Sequence, residues 1–126
     1  MAQIKSGKKE LFVVDDKLGT PTYTVDFARN AALLLESRCW GIYNMVCAGV
    51  TGRFDVAAHL VELLGKSGEI KITPVSSDYF AKEYFAARPA SERLISTKLK
   101  LRNLYVMRDW KVCLGEYLRD YYQGYL

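Results

Sequence analysis

Residues 11–28 constrain the fold of this chain more than any other stretch. The run Leu11-Phe12-Val13-Val14 is short, apolar and valine-rich, which suits a buried strand. Asp15 and Asp16 stop it, and Gly19 supplies the conformational freedom of a turn. Pro21 holds Thr20 extended. Thr24 is the expected cap of a helix that starts at Val25, with Asp26 in the first turn, where the helix dipole favours an anion. A strand, a polar turn and a helix start thus follow one another with no spare residues, and the rest of the chain is placed relative to them.

The helix is expected over Val25–Ser37. Val25, Ala28, Ala32 and Leu35 share one face with Phe27, Ala31 and Leu34 beside them, and Arg29, Asn30 and Glu36 mark the wet edge. Arg38–Gly41 reads as a turn. Gly41–Cys47 is apolar except for Asn44 and reads as a second strand, covered on both faces. Thr51 is the expected cap of the next helix. Its apolar residues Phe54, Ala57, Ala58, Val61 and Leu64 lead to Gly65, a C-terminal glycine stop.

Ile70–Val75 reads as a short edge strand ending at Pro74. Ser76-Ser77-Asp78 should cap a helical piece over Tyr79–Lys82, and Glu83–Glu92 should lie extended on the surface. Ser96 or Thr97 should cap a short helix to Leu101. The last helix runs from near Arg108 to about Tyr122, with Trp110, Leu114, Tyr117, Leu118 and Tyr121 on one stripe expected to be core.

A chain of 126 residues, half hydrophobic and a quarter charged, is read as a single domain over 1–126 with a packed core. Strands alternate with helices, which gives an α/β (α+β) class with few strands and three main helices. No apolar run reaches membrane-span length, and the charged first nine residues are no secretion signal. The net charge of +4 is scattered rather than interleaved with aromatics along one face, which speaks against nucleic acid. Cys39, Cys47 and Cys113 form no C-x-x-C pair. They read as free, mostly buried thiols of a cytoplasmic protein, with no metal site.

The stretch V-V-D-D-x-x-G-T-P-T-Y-T-x-D-x-A resembles the substrate-domain signature of dTDP-4-dehydrorhamnose reductases. These are extended short-chain dehydrogenases that make dTDP-L-rhamnose with NADPH. Gly41-Ile42-Tyr43-Asn44, Pro74-Val75-Ser76-Ser77 and Arg88-Pro89 follow in the matching order, so the resemblance covers about Lys5 to Tyr122. It implies the C-terminal, substrate-binding part of such an enzyme, lacking most of the Rossmann sheet. It also implies that part of the chain continues the nucleotide-binding sheet. The loop Thr20, Pro21, Thr22 and Tyr23 is then expected beside the sugar-nucleotide cleft. Arg88-Pro89 is expected near the bound nucleotide, where a guanidinium suits a diphosphate.

The catalytic half of the family pattern is missing. No G-x-G-x-x-G or G-x-x-G-x-x-G turn is present to hold a pyrophosphate. No tyrosine is followed four residues later by lysine, the pair in which lysine lowers the tyrosine pKa for proton transfer. No catalytic residue is therefore assigned. NADPH belongs to the intact family rather than to this chain alone, and the chain reads as a piece of a longer polypeptide without reductase activity of its own. The single histidine, His59, sits mid-helix and reads as structural. The alternative reading is a non-catalytic relative, a regulatory or interaction module such as the regulatory subunit of methionine adenosyltransferase. Faces that the missing sheet would have covered predict self-association, most simply as a homodimer.

Overall fold

The computed structural model describes residues 1–82 and 88–123. The apolar run near the start becomes a strand because it finds a parallel partner. β1 (Glu10–Val14) pairs with β4 (Lys71–Val75), in register from Glu10 opposite Lys71 to Val14 opposite Val75. The connection between them carries α2 (Thr24–Glu36) and α3 (Arg53–Leu63), as a parallel pair requires. Pro74 sits inside β4 and the strand continues one residue past it, in a two-stranded sheet where β4 can spare a donor.

α3 packs against both strands. Ile4 from the short helix α1 (Ala2–Lys5), Leu11, Val61 and Ile70 form an aliphatic core, with Val13, Leu64 and Ile72 packed against it. Each such side chain, once buried, contributes roughly 1.5–3 kcal/mol. Gly65 follows with φ +66, the left-handed residue expected after the helix. β2 (Leu18–Gly19) and β3 (Thr51–Gly52) make a second, antiparallel pair. The remaining elements are a 3-10 turn at Ser77–Phe80, α4 (Thr97–Leu101) and α5 (Trp110–Tyr121). The α/β (α+β) reading with few strands and three main helices holds. No helix among the described residues is long and apolar enough to cross a membrane.

Several sequence expectations are corrected. Gly41–Cys47 is not a strand: among the described residues, 42–47 pair with no other backbone segment, and Ile42 is 90% exposed. The α2 stripe is inverted. Asn30, expected on the wet edge, and Asp26 are the fully buried residues of that helix, while Phe27 and Leu35 are exposed. Thr24 and Thr51 do not cap. The cap residues are Tyr23 and Gly52, and the Asp55 carboxylate accepts from the Gly52 N–H at 3.1 Å and the Thr51 hydroxyl at 3.2 Å. The stripe on α5 is core at Trp110 and Leu118, but Tyr121 is exposed, and Cys113 takes a buried place. Of the surface segment expected over Glu83–Glu92, residues 83–87 lie outside the described residues.

Candidate functional site

The expected site residues fall in two segments far apart in sequence, and the fold joins them backbone to backbone. Leu18 donates its N–H to the Ala90 carbonyl at 3.0 Å and accepts from the Glu92 N–H at 2.8 Å. Leu18 and Ser91 thereby form a parallel bridge. On one side of this bridge the Lys17 ammonium donates to the Arg88 carbonyl at 3.0 Å. On the other, the Thr20 hydroxyl accepts from the Leu94 N–H at 3.3 Å. The bridge ties the two segments together, and its parallel direction sets Arg88 toward Lys17 at one end and the Thr20–Tyr23 loop toward Leu94 at the other. The side chain of Arg88 is 70% exposed, and among the described residues its ion-pair partner is Glu92 at 3.9 Å. An exposed pair that loose contributes little to stability.

The loop is anchored from below. Thr22 donates its hydroxyl to the Thr20 carbonyl, a 3.5 Å contact that keeps the turn tight. Tyr23 donates its backbone N–H to Cys47 Sγ at 3.3 Å, and its ring meets Tyr117 edge to face at 6.4 Å. Burial pushes the Tyr23 phenol above its ordinary pKa, with Glu116 adding to the effect. Tyr23 therefore supports the loop from the core side. On the other flank, Gly19 stands in register with Thr51. Thr51 lines a cavity of about 340 Å³ together with Val50, Asp55, Ala58, Trp110 and Lys111.

Sequence reasoning missed the polar network under this loop. Arg108, in the segment leading into α5, donates through Nη2 to Asp26 Oδ1 at 2.7 Å and through Nε to Asp26 Oδ2 at 2.9 Å. Its Nη1 reaches Glu116 Oε2 at 2.6 Å. The Arg108 guanidinium holds both carboxyls below their usual range, and the two carboxylates raise the Arg108 pKa in turn. One turn along α2, the Asn30 amide donates to the Leu104 carbonyl at 2.8 Å and accepts from the Val106 N–H at 3.0 Å. An aspartate and an asparagine four residues apart on one helix were the only available signal. They form a ladder that can satisfy an incoming irregular backbone segment.

Two cysteines complete the network. Cys47 and Cys113 Sγ atoms are 3.8 Å apart, and Cys113 donates to Asp26 Oδ2 at 3.3 Å. Burial, then Asp26, pushes the Cys113 thiol up to about 12. Trp110 and Met107 close this core from the α5 side. Gly49 passes over Trp110 with φ +88, where a Cβ would lie 2.7 Å from the indole Cδ1, so only glycine fits. Cys39 lies apart, half-buried, its pKa lowered by the Ser37 hydroxyl and then by Arg102.

Comparison with known proteins gives the family and the fold of the chain. The model of the RmlD substrate binding domain matches residues 1–123. The spore coat polysaccharide biosynthesis protein SpsK of Bacillus subtilis is 31% identical over 120 residues, covering 95% of this chain and 40% of that protein. The dTDP-4-dehydrorhamnose reductase of Mycolicibacterium smegmatis is 31% identical over 117 residues, covering 92% of this chain and 35% of the relative. The crystal structure of a dTDP-4-dehydrorhamnose reductase from Clostridium acetobutylicum superposes with a TM-score of 0.86 at 31% identity, covering 94% of this chain and 41% of that one. The chain therefore spans about two fifths of the length of these relatives.

Proposed function

We propose, from the premise that this chain belongs to the RmlD substrate binding domain family, that it is the sugar-nucleotide-binding portion of a dTDP-4-dehydrorhamnose reductase of the extended short-chain dehydrogenase type. The observation that supports this reading is the backbone bridge of Leu18 with Ala90–Glu92, which ties the chain just before the Thr20–Tyr23 loop to the chain just after Arg88-Pro89. In this reading the bridge fixes the spacing between the hydroxyls and turn at one of its ends and the exposed guanidinium at the other, so that a long ligand spans them. In this reading Arg88 pairs with the diphosphate, for which its planar fork is suited. Pro89 and Pro21 stiffen the two backbones, Thr20 and Thr22 present hydroxyls to the ligand, and Tyr23 holds the loop to the core.

In the intact enzyme NADPH supplies the hydride. This chain contributes binding and orientation, since it has neither a glycine-rich pyrophosphate turn nor a Tyr-x-x-x-Lys pair. Its partners are a dTDP-sugar and a second copy of itself rather than nucleic acid or a membrane. Its three unpaired thiols suit work in the reducing cytoplasm.

Calorimetric titration with dTDP tests the reading. The expected result is saturable binding that Arg88→Ala weakens by about tenfold, equivalent to about 1.4 kcal/mol. The melt of this exposed-site variant should stay within about 0.5 kcal/mol of the parent chain. Binding that ignores Arg88→Ala, or no binding at all, refutes the assignment. A parallel assay of NADPH consumption with dTDP-4-dehydro-6-deoxy-L-mannose should show no turnover by the 126-residue chain.

A further inference from the structure

We propose that Cys47, Cys113 and Asp26 form a binding site for one thiophilic divalent cation of the zinc class. Their ligand atoms all lie within 4.8 Å of one another, and all three residues are buried. Zinc holds thiolate sulfur at about 2.3 Å and carboxylate oxygen at about 2.0–2.2 Å. Tetrahedral angles then set an S···S edge of about 3.8 Å and an S···O edge of about 3.6 Å. The structure has Sγ···Sγ at 3.8 Å and Cys113 Sγ to Asp26 Oδ2 at 3.3 Å. Two of the three edges thus stand within a few tenths of an ångström of a coordination face, and the third, Cys47 Sγ to Asp26, lies within 4.8 Å; α2, the end of the 41–47 segment and α5 bring the three groups together.

The surroundings are those of a supported site. The Asp26 carboxylate is oriented by Arg108 through its backbone N–H at 3.2 Å and its guanidinium at 2.7–3.2 Å, and Arg29 stands at 3.5 Å. Cys47 Sγ is oriented by the Tyr23 N–H at 3.3 Å. Hydrogen bonds to the ligands from behind fix their direction and tune a metal centre. The nearby charges balance, Asp26 and Glu116 against Arg108 and Arg29. Binding keeps that balance: the dication enters, two S–H bonds break, two metal–sulfur bonds form, and two protons leave to solvent. The cation takes the position of the proton that Cys113 donates to Asp26, and three protein ligands leave one tetrahedral position for water. Cys39 stands outside the cluster and serves as an internal control.

The reduced full chain is incubated with one equivalent of zinc, passed through gel filtration and assayed for retained metal and for proton release. The wild-type chain and Cys39→Ser should each retain one zinc and release two protons on binding. Cys47→Ser and Cys113→Ser should lose retention while keeping a cooperative melt. Should either variant unfold, alkylation of the wild-type chain decides: zinc should protect Cys47 and Cys113 and leave Cys39 open. No retained zinc, equal retention by folded Cys113→Ser, or absence of protection overturns the proposal. None of these readouts involves a sugar nucleotide, so the outcome is independent of the function proposed above.

Discussion

Leu11–Val14 and Gly41–Cys47 carry the same kind of sequence and meet different fates. Both are apolar, both follow a polar or turn-forming stretch, and both read as buried strands. The first pairs in parallel with β4 over five residues and places Leu11 in the aliphatic core, with Val13 packed against it. The second pairs with nothing among the described residues, and side chains tend its backbone instead. Lys98 Nζ donates to the Ile42 carbonyl at 3.3 Å, the Tyr105 hydroxyl to the Val46 carbonyl at 3.0 Å, and the Val46 N–H to Ser96 Oγ at 3.2 Å. The Tyr43 hydroxyl is buried without a partner among the described residues. Apolarity alone says that a segment wants cover. A strand also needs an edge to pair with, and that information lies elsewhere in the chain.

The comparison is tested most severely at Trp110. The inner end of the second run, Met45 to Cys47, rests on the cluster built around this ring, which is 6% exposed. Trp110→Ala should cost about 3–5 kcal/mol, measured by urea unfolding. A loss below about 1 kcal/mol would mean that the second run does not depend on this core.

Acid should act next, and on the same region. Asp26 has its folded pKa lowered by the Arg108 guanidinium, despite burial. A depressed carboxyl pKa contributes stability that is fully present above the unfolded value, about 3.9, and is lost as pH falls through the lower folded value. Stability should therefore decline on acidification below about pH 4, and Asp26→Asn should flatten that slope. A slope unchanged by Asp26→Asn would assign the acid response to other carboxylates such as Glu116, which is lowered by the same arginine.

Ser96→Ala is a smaller and more local test. It removes the acceptor of the buried Val46 N–H without touching β1. The expected cost is about 1–3 kcal/mol, the penalty of a stranded buried donor. Hydrogen exchange should quicken at Val46 while Phe12 and Val13 keep their protection. Uniform quickening across both runs would show that they unfold as one unit.

The sequence was legible where periodicity and turn chemistry act locally. Leu11–Val14, the Gly65 stop and the burial of Trp110 are of that kind. It was opaque where a residue is placed by a partner 50 to 90 positions away. Asn30 reads as a wet-edge residue and Asp26 as a first-turn partner of the helix dipole until residues 104–108 arrive with backbone groups to pair. Cys47 and Cys113 show no metal spacing because the fold, not the local sequence, brings them together. The joining of residues 17–20 to residues 88–94 likewise depends on the Leu18 bridge, which no spacing rule encodes.

The last test sits at the outer end of the second run and should have the smallest effect on the monomer. Ile42 is 90% exposed, with Trp40 nearby in sequence and also exposed. Removing its side chain opens no cavity, so Ile42→Ser should change folding stability by no more than about 0.5 kcal/mol. Its effect should appear in assembly instead. An exposed apolar run with unpaired backbone is a template for strand addition by a second copy, and an ordinary interface would bury about 800 Å² on each partner. Light scattering coupled to size exclusion should find a dimer of the parent chain at tens of micromolar and a shift toward monomer for Ile42→Ser. A parent chain running cleanly at 14.3 kDa would refute self-association. A dimer indifferent to Ile42→Ser would move the interface to β1 or β4, the other run in the comparison.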